Sequence, residues 1–376
     1  MDKTLNERMM YFLNNYDVVF TYVHDTGETQ YISDPYDKVY RFCGKKPPEV
    51  KFRKKAHAIS ELLGNKEFVL NNECDTCNEL FGKLLEDELS KYLGLARTIS
   101  QIHGKNGVPT YKSKDKKSRI EFDSDLGIII KRCISDESKD EKDGIDSQNY
   151  DDGFVETFDH KIVIHAVRDT YTPVAVYKAF VKMALSFLPY KYLSNFIDTI
   201  EWIKEPIHTI SRFFDLSQYG VVLEKFIPGV PFLPMRVTGF IRKHDMISLP
   251  FYQFYLEFLN FSYQMAIPCP LKDRHLKEIS LVPILGTDDE IELMEWSRLF
   301  EQGEYIDCNS FESDFRKRYG KPVIKAKDFR NNEKVKNEPL DLALGFDTLE
   351  RGENVKEISV DEFLEAERQK IRDDKK

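Results

Sequence analysis

The stretch "ECDTCNELF", residues 73–81, places two cysteines three positions apart and an asparagine directly after the second. Cys74 and Cys77 on a tight turn can hold one Zn²⁺, but a tetrahedral site needs two further ligands. Cys43, which lies on an earlier predicted turn, is a good third ligand. A second Cys-x-x-Cys pair would supply the fourth from position 40, and that residue is Tyr40. The sequence therefore predicts a structural zinc site that is incomplete at Tyr40.

Three interpretations of this incomplete site stay open. A fourth ligand such as His24 completes it, or the site binds zinc weakly, or the three thiols are buried and pack as small hydrophobic groups. The chain has 6 cysteines, and its first residues, "MDKTLNERMM", are too polar for a signal peptide. We therefore expect reduced thiols in a cytoplasmic protein.

The segments around the cysteines predict a histidine and an asparagine on neighbouring elements. Apolar residues at helical spacing predict a helix that Asn78 opens and Gly94 ends. Upstream, "YDVVFTYVHDTGETQYIS", residues 16–33, predicts two short strands around a turn. An extended arm then runs through residues 50–58 and carries His57 near its end. His57 and Asn78 can thus face each other across a narrow gap.

This pairing suits the metal-assisted hydrolysis of a phosphodiester. A neutral histidine can take a proton from water near pH 7. A bound Mg²⁺ can stabilise the charge that builds on the phosphate and on the leaving oxygen. Because Mg²⁺ prefers oxygen ligands and keeps several waters, one amide oxygen together with the substrate phosphate is a sufficient anchor.

The ordered motifs "RFCGKKPPEVKFRKKAHAISELLGN", residues 41–65, and "ECDTCNELF" together resemble those of a known enzyme family. This is the family of HNH endonucleases, the ββα-metal nucleases, and in particular a subgroup with zinc-knuckle cysteines. The resemblance covers residues 40–93 well and residues 16–131 loosely. The ordered set of Cys, Ala-His, Gly-Asn and Cys-x-x-Cys-Asn is fairly specific, whereas no single element would be.

The resemblance implies a role for each matching position. His57 matches the general base, and Asn65 matches the central asparagine that fixes the loop and orients the histidine. Asn78 matches the last motif position, which binds the divalent metal, Mg²⁺ or Mn²⁺. The positions that match structural zinc ligands are Cys43, Cys74 and Cys77.

Two positions depart from the family pattern. Tyr40 stands where the family often has its first cysteine, which weakens the expectation of zinc. Ala56 stands where many members carry an acidic or histidine metal ligand before the base. Fewer metal ligands remain, although Asp75 or Glu73 could contribute one. Related nucleases work with one asparagine and waters, so activity is still expected.

Basic residues lie near these motifs and predict contacts with a phosphate backbone. The candidates are Arg53, Lys54, Lys55, Arg97, Lys105, Lys112, Lys116 and Lys117. Residues 1–120 carry more Lys and Arg than Asp and Glu, whereas the rest of the chain is acidic. A polyanionic partner is therefore expected to bind near the N-terminus. For each single lysine, a solvated loop is the alternative.

Strand-like and helix-like segments predict an α+β protein with an N-terminal ββα-metal nuclease domain and a separate α+β domain with a mainly antiparallel sheet. The expected division is a nuclease domain (1–132), an acidic linker (133–153), an α+β regulatory or partner-binding domain (154–285) and a charged extension with weak helices (286–376). The sequence contains no run of about 18 apolar residues, so no membrane-spanning helix is predicted.

The expected function is a DNA endonuclease whose C-terminal domain restrains it until an activating ligand or protein partner binds. A bacterial anti-phage defence effector is one such role. The alternative is a non-catalytic nucleic-acid-binding or partner-binding protein on a degenerate HNH scaffold, which Tyr40 and Ala56 favour. RNA is a further possible substrate, because phosphodiester hydrolysis does not itself select the sugar. The oligomeric state stays open.

Overall fold

The computed structural model describes an α+β chain with mainly antiparallel sheets, as the sequence predicted. It describes residues 5–24, 27–32, 41–124, 127–132, 154–158, 161–208, 214–215, 218–227, 233–245, 248–277, 279, 281, 284 and 323–345. The predicted linker and the predicted C-terminal helices at 289–301 and 360–372 lie outside these residues. Within these ranges no helix combines the length and the apolar character needed to cross a membrane.

The helices are short apart from two. They are α1 (Leu5–Asn15), α2 (Asp75–Phe81), α3 (Asp87–Leu93), α4 (Leu95–Ile99), α5 (Pro173–Phe187), α6 (Tyr190–Leu193), α7 (Ile197–Lys204) and α8 (Pro270–Asp273). The strands are β1 (Tyr16–His24), β2 (Gln30–Ile32), β3 (Phe68–Leu70), β4 (Tyr111–Lys112), β5 (Ser118–Asp123), β6 (Gly127–Arg132), β7 (Val155–Phe158), β8 (Lys161–Val167), β9 (Val221–Phe226), β10 (Leu233–Arg242), β11 (Tyr252–Leu259), β12 (Phe261–Ile267), β13 (Val323–Asp328) and β14 (Pro339–Gly345).

The largest sheet has six antiparallel strands in the order β1-β10-β11-β12-β9-β13. The two strands predicted in residues 16–33 are present, but they do not pair with each other. Strand β1 pairs with β10, and β2 runs parallel to β3. The sheet thus joins residues from both sides of the predicted linker at 133–153.

A close contact between Phe20 and Gly239 holds β1 against β10. The two residues lie opposite each other in the register, and a Cβ at position 239 would lie 2.3 Å from the Phe20 ring. The ring therefore covers a position that only glycine can fill. Phe20 also stacks on Phe187, with 5.7 Å between the ring centroids, so β1 contacts the central helix α5 as well.

Helix α5 is the centre of the core, and all 15 of its residues are buried. A helix that is apolar on nearly every side must be covered on every side. On one side it packs on the large sheet, where the Tyr252 hydroxyl donates to the Ala184 carbonyl at 2.8 Å. On another side Arg41 donates to the Leu185 carbonyl at 2.7 Å. Helix α5 therefore lies between the sheet and the motif-bearing residues 41–93.

The helix predicted from Asn78 onwards is divided into three parts. Helix α2 begins at Asp75, earlier than predicted, and a π-helical turn, Gly82–Glu86, connects it to α3. Gly94 has a φ of 48° and follows the end of α3, as the sequence predicted. Four apolar residues of this segment, before, within and after the turn, are buried: Phe81, Leu85, Leu89 and Tyr92.

Candidate active site and metal centre

His57 lies in a pair of antiparallel segments that lead into a helix. It forms an isolated antiparallel bridge with Val69 of β3. The flanking hydrogen bonds run from Ala58 N to Phe68 O at 3.0 Å and from Leu70 N to Ala56 O at 2.9 Å. After β3 the chain turns and enters α2. The local order is therefore extended segment, loop, strand and helix.

Asn65 holds the loop between the two antiparallel segments. Its side chain is fully buried, and it follows Gly64, whose φ of 89° closes the preceding turn. The Asn65 amide nitrogen donates to Ile59 O at 2.7 Å and to Phe68 O at 3.0 Å. Its oxygen accepts from Glu67 N at 3.1 Å and from Phe68 N at 2.9 Å. The amide is thus committed to the backbone of the loop that carries His57.

The His57 side chain is largely buried and lies among charged groups. It is 13% exposed, and its Nε2 lies 3.5 Å from Glu61 Oε1. Its Nδ1 is buried and has no hydrogen-bond partner in the part of the chain that the structure describes. Burial lowers the pKa of His57, Glu61 and Glu86 oppose this, and Lys55 and Lys182 add to it. Because the pKa is lowered, His57 is neutral at pH 7.

Cys43, Cys74 and Cys77, which the sequence predicted as ligands of a structural zinc, lie close together. Their sulfur atoms all lie within 4.8 Å of one another, and the thiols are free. The Sγ atoms of Cys43 and Cys74 are 3.8 Å apart. A tetrahedral zinc with bonds of about 2.3 Å sets its sulfur ligands about 3.8 Å apart. The cluster can therefore hold a metal ion such as zinc.

His24 and Glu73, which the sequence suggested as metal ligands, each pair with another side chain. His24 is a possible fourth zinc ligand by sequence, but its Nδ1 lies 3.5 Å from Glu67 Oε1 and its ring packs against Phe68. Glu73 is a possible extra ligand of the catalytic metal by sequence. It is instead fully buried in an ion pair with Lys182, with 2.9 Å between Oε2 and Nζ. Both side chains therefore have other partners.

Asp75 fastens the basic arm to the start of α2. Its Oδ1 accepts from the backbone nitrogens of Arg53 and Lys54, both at 2.9 Å. Lys54 also pairs through Nζ with Glu79 on the next turn of the helix. This arrangement occupies Asp75, the other suggested metal ligand. Tyr40, the position that breaks the four-cysteine pattern, lies outside the described residues.

Asn78 has an uncommitted side chain in the first part of α2. Its backbone nitrogen donates to Cys74 O at 2.9 Å, which is an ordinary helical bond. Its amide group is half-buried and has no hydrogen-bond partner within the described ranges. In Asn65, by contrast, the side-chain nitrogen and oxygen both make hydrogen bonds. The Asn78 oxygen is therefore available to a ligand from outside the chain.

Most of the basic residues that are predicted to contact nucleic acid lie on the surface. Arg53, Lys54 and Lys55 are exposed on the arm before His57, and Lys105 is exposed on a turn. The remaining exposed lysines lie on a hairpin, where the sequence predicted a loop: Lys112, Lys116 and Lys117. Asp115 organises the hairpin turn by accepting from Lys117 N at 3.0 Å. These side chains point to solvent, where a polyanion could reach them.

Arg97 differs from the other basic candidates because it is engaged inside the protein. Its Nε donates to Leu62 O at 3.2 Å, and its Nη1 donates to Ser90 Oγ at 2.9 Å. Burial lowers the pKa of the Arg97 guanidinium. Arg97 therefore braces the turn after His57 against α3, which gives it a structural role beside the predicted one.

Sequence reasoning missed two residues beside His57. Glu61 is four positions after the histidine, and that spacing was the available signal. Lys182 donates through Nζ to the His57 carbonyl at 2.9 Å. A lysine inside an otherwise apolar helix must find a buried partner, but the pattern does not say that the partner lies 125 residues away.

Comparison with known proteins adds no relative to this description. No protein-family model matches the chain, and neither the curated proteins nor the solved structures gave a match. A function is therefore inferred from the residues of the site and from their contacts.

Proposed function

We propose that the chain is a metal-dependent DNA endonuclease of the HNH type. The observation that carries the proposal is the local arrangement around His57. A largely buried histidine of lowered pKa lies beside a loop braced by Asn65, and Asn78, whose amide has no hydrogen-bond partner among the described residues, lies in helix α2, which follows β3. These are the residue types and the order that the motif resemblance requires.

In this proposal His57 takes a proton from the attacking water through Nε2. Its Nδ1 is buried, so Nε2 is the nitrogen that water can reach. Proton transfer creates an imidazolium, and Glu61 Oε1 at 3.5 Å from Nε2 stabilises that positive charge. The lowered pKa keeps His57 in the neutral form that can act as a base.

Asn78 would hold the catalytic Mg²⁺ or Mn²⁺ through its amide oxygen. The fit is supported by the absence of any other partner for that amide within the described ranges. When bound, the metal would stabilise negative charge on the phosphate and the leaving oxygen. The three cysteines would hold a separate structural zinc that fixes the start of α2.

The test is plasmid nicking by the full chain with Mg²⁺ or Mn²⁺, compared with His57→Ala. Loss of general-base catalysis is expected to slow nicking by about 10²–10⁴-fold. His103→Ala is the matched control, because His103 is an exposed histidine outside the site, and it is expected to nick like wild type. Equal nicking by wild type and His57→Ala would remove His57 as the base. A single-stranded RNA substrate in the same assay tests the choice of sugar.

The electrostatic part of the proposal has its own test. The exposed lysines of the hairpin are expected to follow the phosphate backbone without reading sequence. A variant with Lys112, Lys116 and Lys117 changed to Gln should bind duplex DNA more weakly and with a smaller salt dependence. The slope should fall by about 0.9 for each phosphate that a lysine no longer neutralises. An unchanged salt dependence would show that DNA does not bind at this hairpin.

A non-catalytic binding protein is the second candidate, and Ala56 is the residue that favours it. Ala56 is 2% exposed and occupies the position where many family members carry a metal ligand. DNA binding by zinc-loaded wild type, with no nicking in either divalent metal, would favour this candidate. Control by residues 154–285 and a role in phage defence stay proposals that follow from the nuclease.

A further inference from the structure

Helix α5 carries two buried lysines one turn apart, and they have different partners. Lys178 donates to Glu205 O at 3.2 Å and lies 5.0 Å from the centre of the Trp202 ring. Lys182 donates to His57 O at 2.9 Å and pairs with Glu73 Oε2 at 2.9 Å. The first lysine thus stays within the C-terminal part of the chain. The second reaches the candidate active site.

The Lys182 ammonium lies near two aromatic rings from the segments that carry the cysteines, in addition to donating to the His57 carbonyl. It lies 5.9 Å from the ring centre of Phe42 and 5.8 Å from that of Phe81. Phe42 immediately precedes Cys43, and Phe81 is in the same helix as Asn78. The two rings meet edge to face at 4.9 Å. One positive charge therefore connects the segments that carry the zinc ligands and the base.

Glu73 fixes the other end of this connection. It immediately precedes Cys74, and both Glu73 and the Lys182 side chain are almost inaccessible, at 0% and 5% exposed. A buried ammonium and a buried carboxylate are tolerated only as a pair, because each would be costly alone. Through Lys182 this pair links the His57 carbonyl to the residue that immediately precedes Cys74.

We propose that Lys182 is a positioning residue that locks the backbone of His57 to the start of the Asn78 helix. The inference rests on the proposed nuclease function and deepens it. Lys182 lies on the far side of the predicted linker, so the active site is completed by a helix of the C-terminal segment. A catalytic base held out of place by about 1 Å can lose 10²-fold in rate.

Lys182 also contributes to the electrostatics of His57. The charged groups that face the imidazole are Glu61 and Lys55 from its own segment, Glu86 from the π-helical turn and Lys182 from α5. Glu86, Ser60 and Lys182 line one small cleft between that turn and α5. Removing the positive charge at 182 favours the imidazolium, so the pKa of His57 is expected to rise. A residue that only filled space would not have this effect.

The experiment compares Lys182→Met with Lys178→Met in the full chain. Both changes remove a buried lysine of α5 that donates to a carbonyl, so Lys178→Met is the matched control. Lys182→Met is expected to lower the nicking rate by about 10–100-fold, whereas Lys178→Met keeps it within about 2-fold. Equal rates for the two variants would overturn the proposal.

A double variant separates positioning from folding. Lys182→Met alone leaves Glu73 buried without a partner, so Lys182→Met/Glu73→Leu removes that charge as well and replaces the pair by apolar groups. The double variant is expected to recover cooperative unfolding and zinc content while its nicking stays low, since His57 O still lacks its donor. Recovery of wild-type nicking by the double variant would overturn the proposal.

A third readout does not depend on nuclease activity. The rate at which diethyl pyrocarbonate modifies His57, followed by peptide mass spectrometry against pH, reports the pKa of that side chain. The midpoint is expected to move to higher pH in both variants that lack Lys182 and to stay in place in Lys178→Met. If wild type nicks no substrate, the proposed nuclease fails, and this readout still decides the contact. An unmoved midpoint overturns the Lys182 inference.

Discussion

The loop around Asn65 and the cluster of Cys43, Cys74 and Cys77 satisfy their polar groups in different ways. Every hydrogen-bonding direction of the Asn65 amide is used by backbone atoms of its own loop. The cluster instead brings three sulfur atoms within 4.8 Å of one another, and the Sγ atoms of Cys43 and Cys74 share a hydrogen bond of 3.8 Å. The loop satisfies its own polar groups, whereas the three sulfur atoms of the cluster could also hold a metal ion.

This difference predicts which part of the site would depend on a metal ion. Burial raises the pKa of Cys77 and of Cys43, so without a metal these thiols are neutral. Neutral thiols pack like small hydrophobic groups and place few constraints on geometry. The position of His57 therefore depends mainly on the Asn65 loop and Lys182, and the position of Asn78 depends mainly on the cluster.

Removal of zinc is expected to have the largest effect. It should destabilise the cysteine cluster and leave the Asn65 loop nearly unchanged. Structural zinc contributes about 10 kcal/mol or more of binding free energy in small domains, all of which favours the folded ligands. Chelation should raise amide hydrogen exchange in residues 41–46 and 73–81 by at least about 100-fold, with much less change in residues 59–68. Hydrogen-exchange mass spectrometry of the full chain measures this.

Two results would contradict that expectation. Equal loss of protection in both regions would mean that the loop also depends on the metal. Less than about a tenth of an equivalent of zinc in freshly purified protein would mean that the three thiols only pack. Cys77→Ser is the genetic form of the same test, and it should reproduce the exchange pattern of the chelated protein.

Asn65→Ala is expected to have the next largest effect, on the opposite side of the comparison. It removes four hydrogen bonds and leaves two buried backbone nitrogens and two carbonyls to find other partners. The expected loss is about 2–4 kcal/mol in the free energy of unfolding. Urea denaturation measures it, with zinc content unchanged. Asn71→Ala, at an exposed position of the same segment, is the control and should stay within about 0.5 kcal/mol. A similar cost for both variants would contradict the bracing role of Asn65.

The sequence predicted the local elements of the site better than their long-range partners. Spacing alone located the cysteines of the cluster and the helix that bears Asn78. These features depend on residues close together in the chain, so their patterns carry the information.

What the sequence could not supply are the pairings over long separations. Strand β1 has the alternation of a strand, but nothing in its pattern names β10 as its neighbour, since register is fixed by the packing of a whole sheet. Lys182 is visible as a charge in an apolar helix, yet Glu73 and His57 are visible as its partners only in three dimensions. Composition groups Arg97 with the exposed basic residues because composition does not report burial.

The smallest expected effect concerns Glu61, and it tests whether the electrostatics of His57 are independent of the cluster. The folded-state pKa of His57 is lowered, so the stability that its neutral form contributes is present above pH 6.5 and is lost as pH falls through and below that value. Glu61 opposes the lowering, although its side chain is 42% exposed and solvent screens the interaction. Glu61→Gln should therefore move the midpoint of His57 modification by diethyl pyrocarbonate to lower pH by a few tenths of a unit.

The matched control for this change is Glu201→Gln, which removes an exposed carboxylate that pairs with Lys204 on α7. It should leave the His57 midpoint in place. Zinc content should stay the same in both variants, because neither carboxylate belongs to the cysteine cluster. If the His57 midpoint moves to higher pH in Glu61→Gln, Glu61 does not raise the pKa of His57, and its assigned electrostatic role is wrong. A change in zinc content would instead show that the two sides of the site are coupled, and Lys182, which contacts both, is where that coupling would lie.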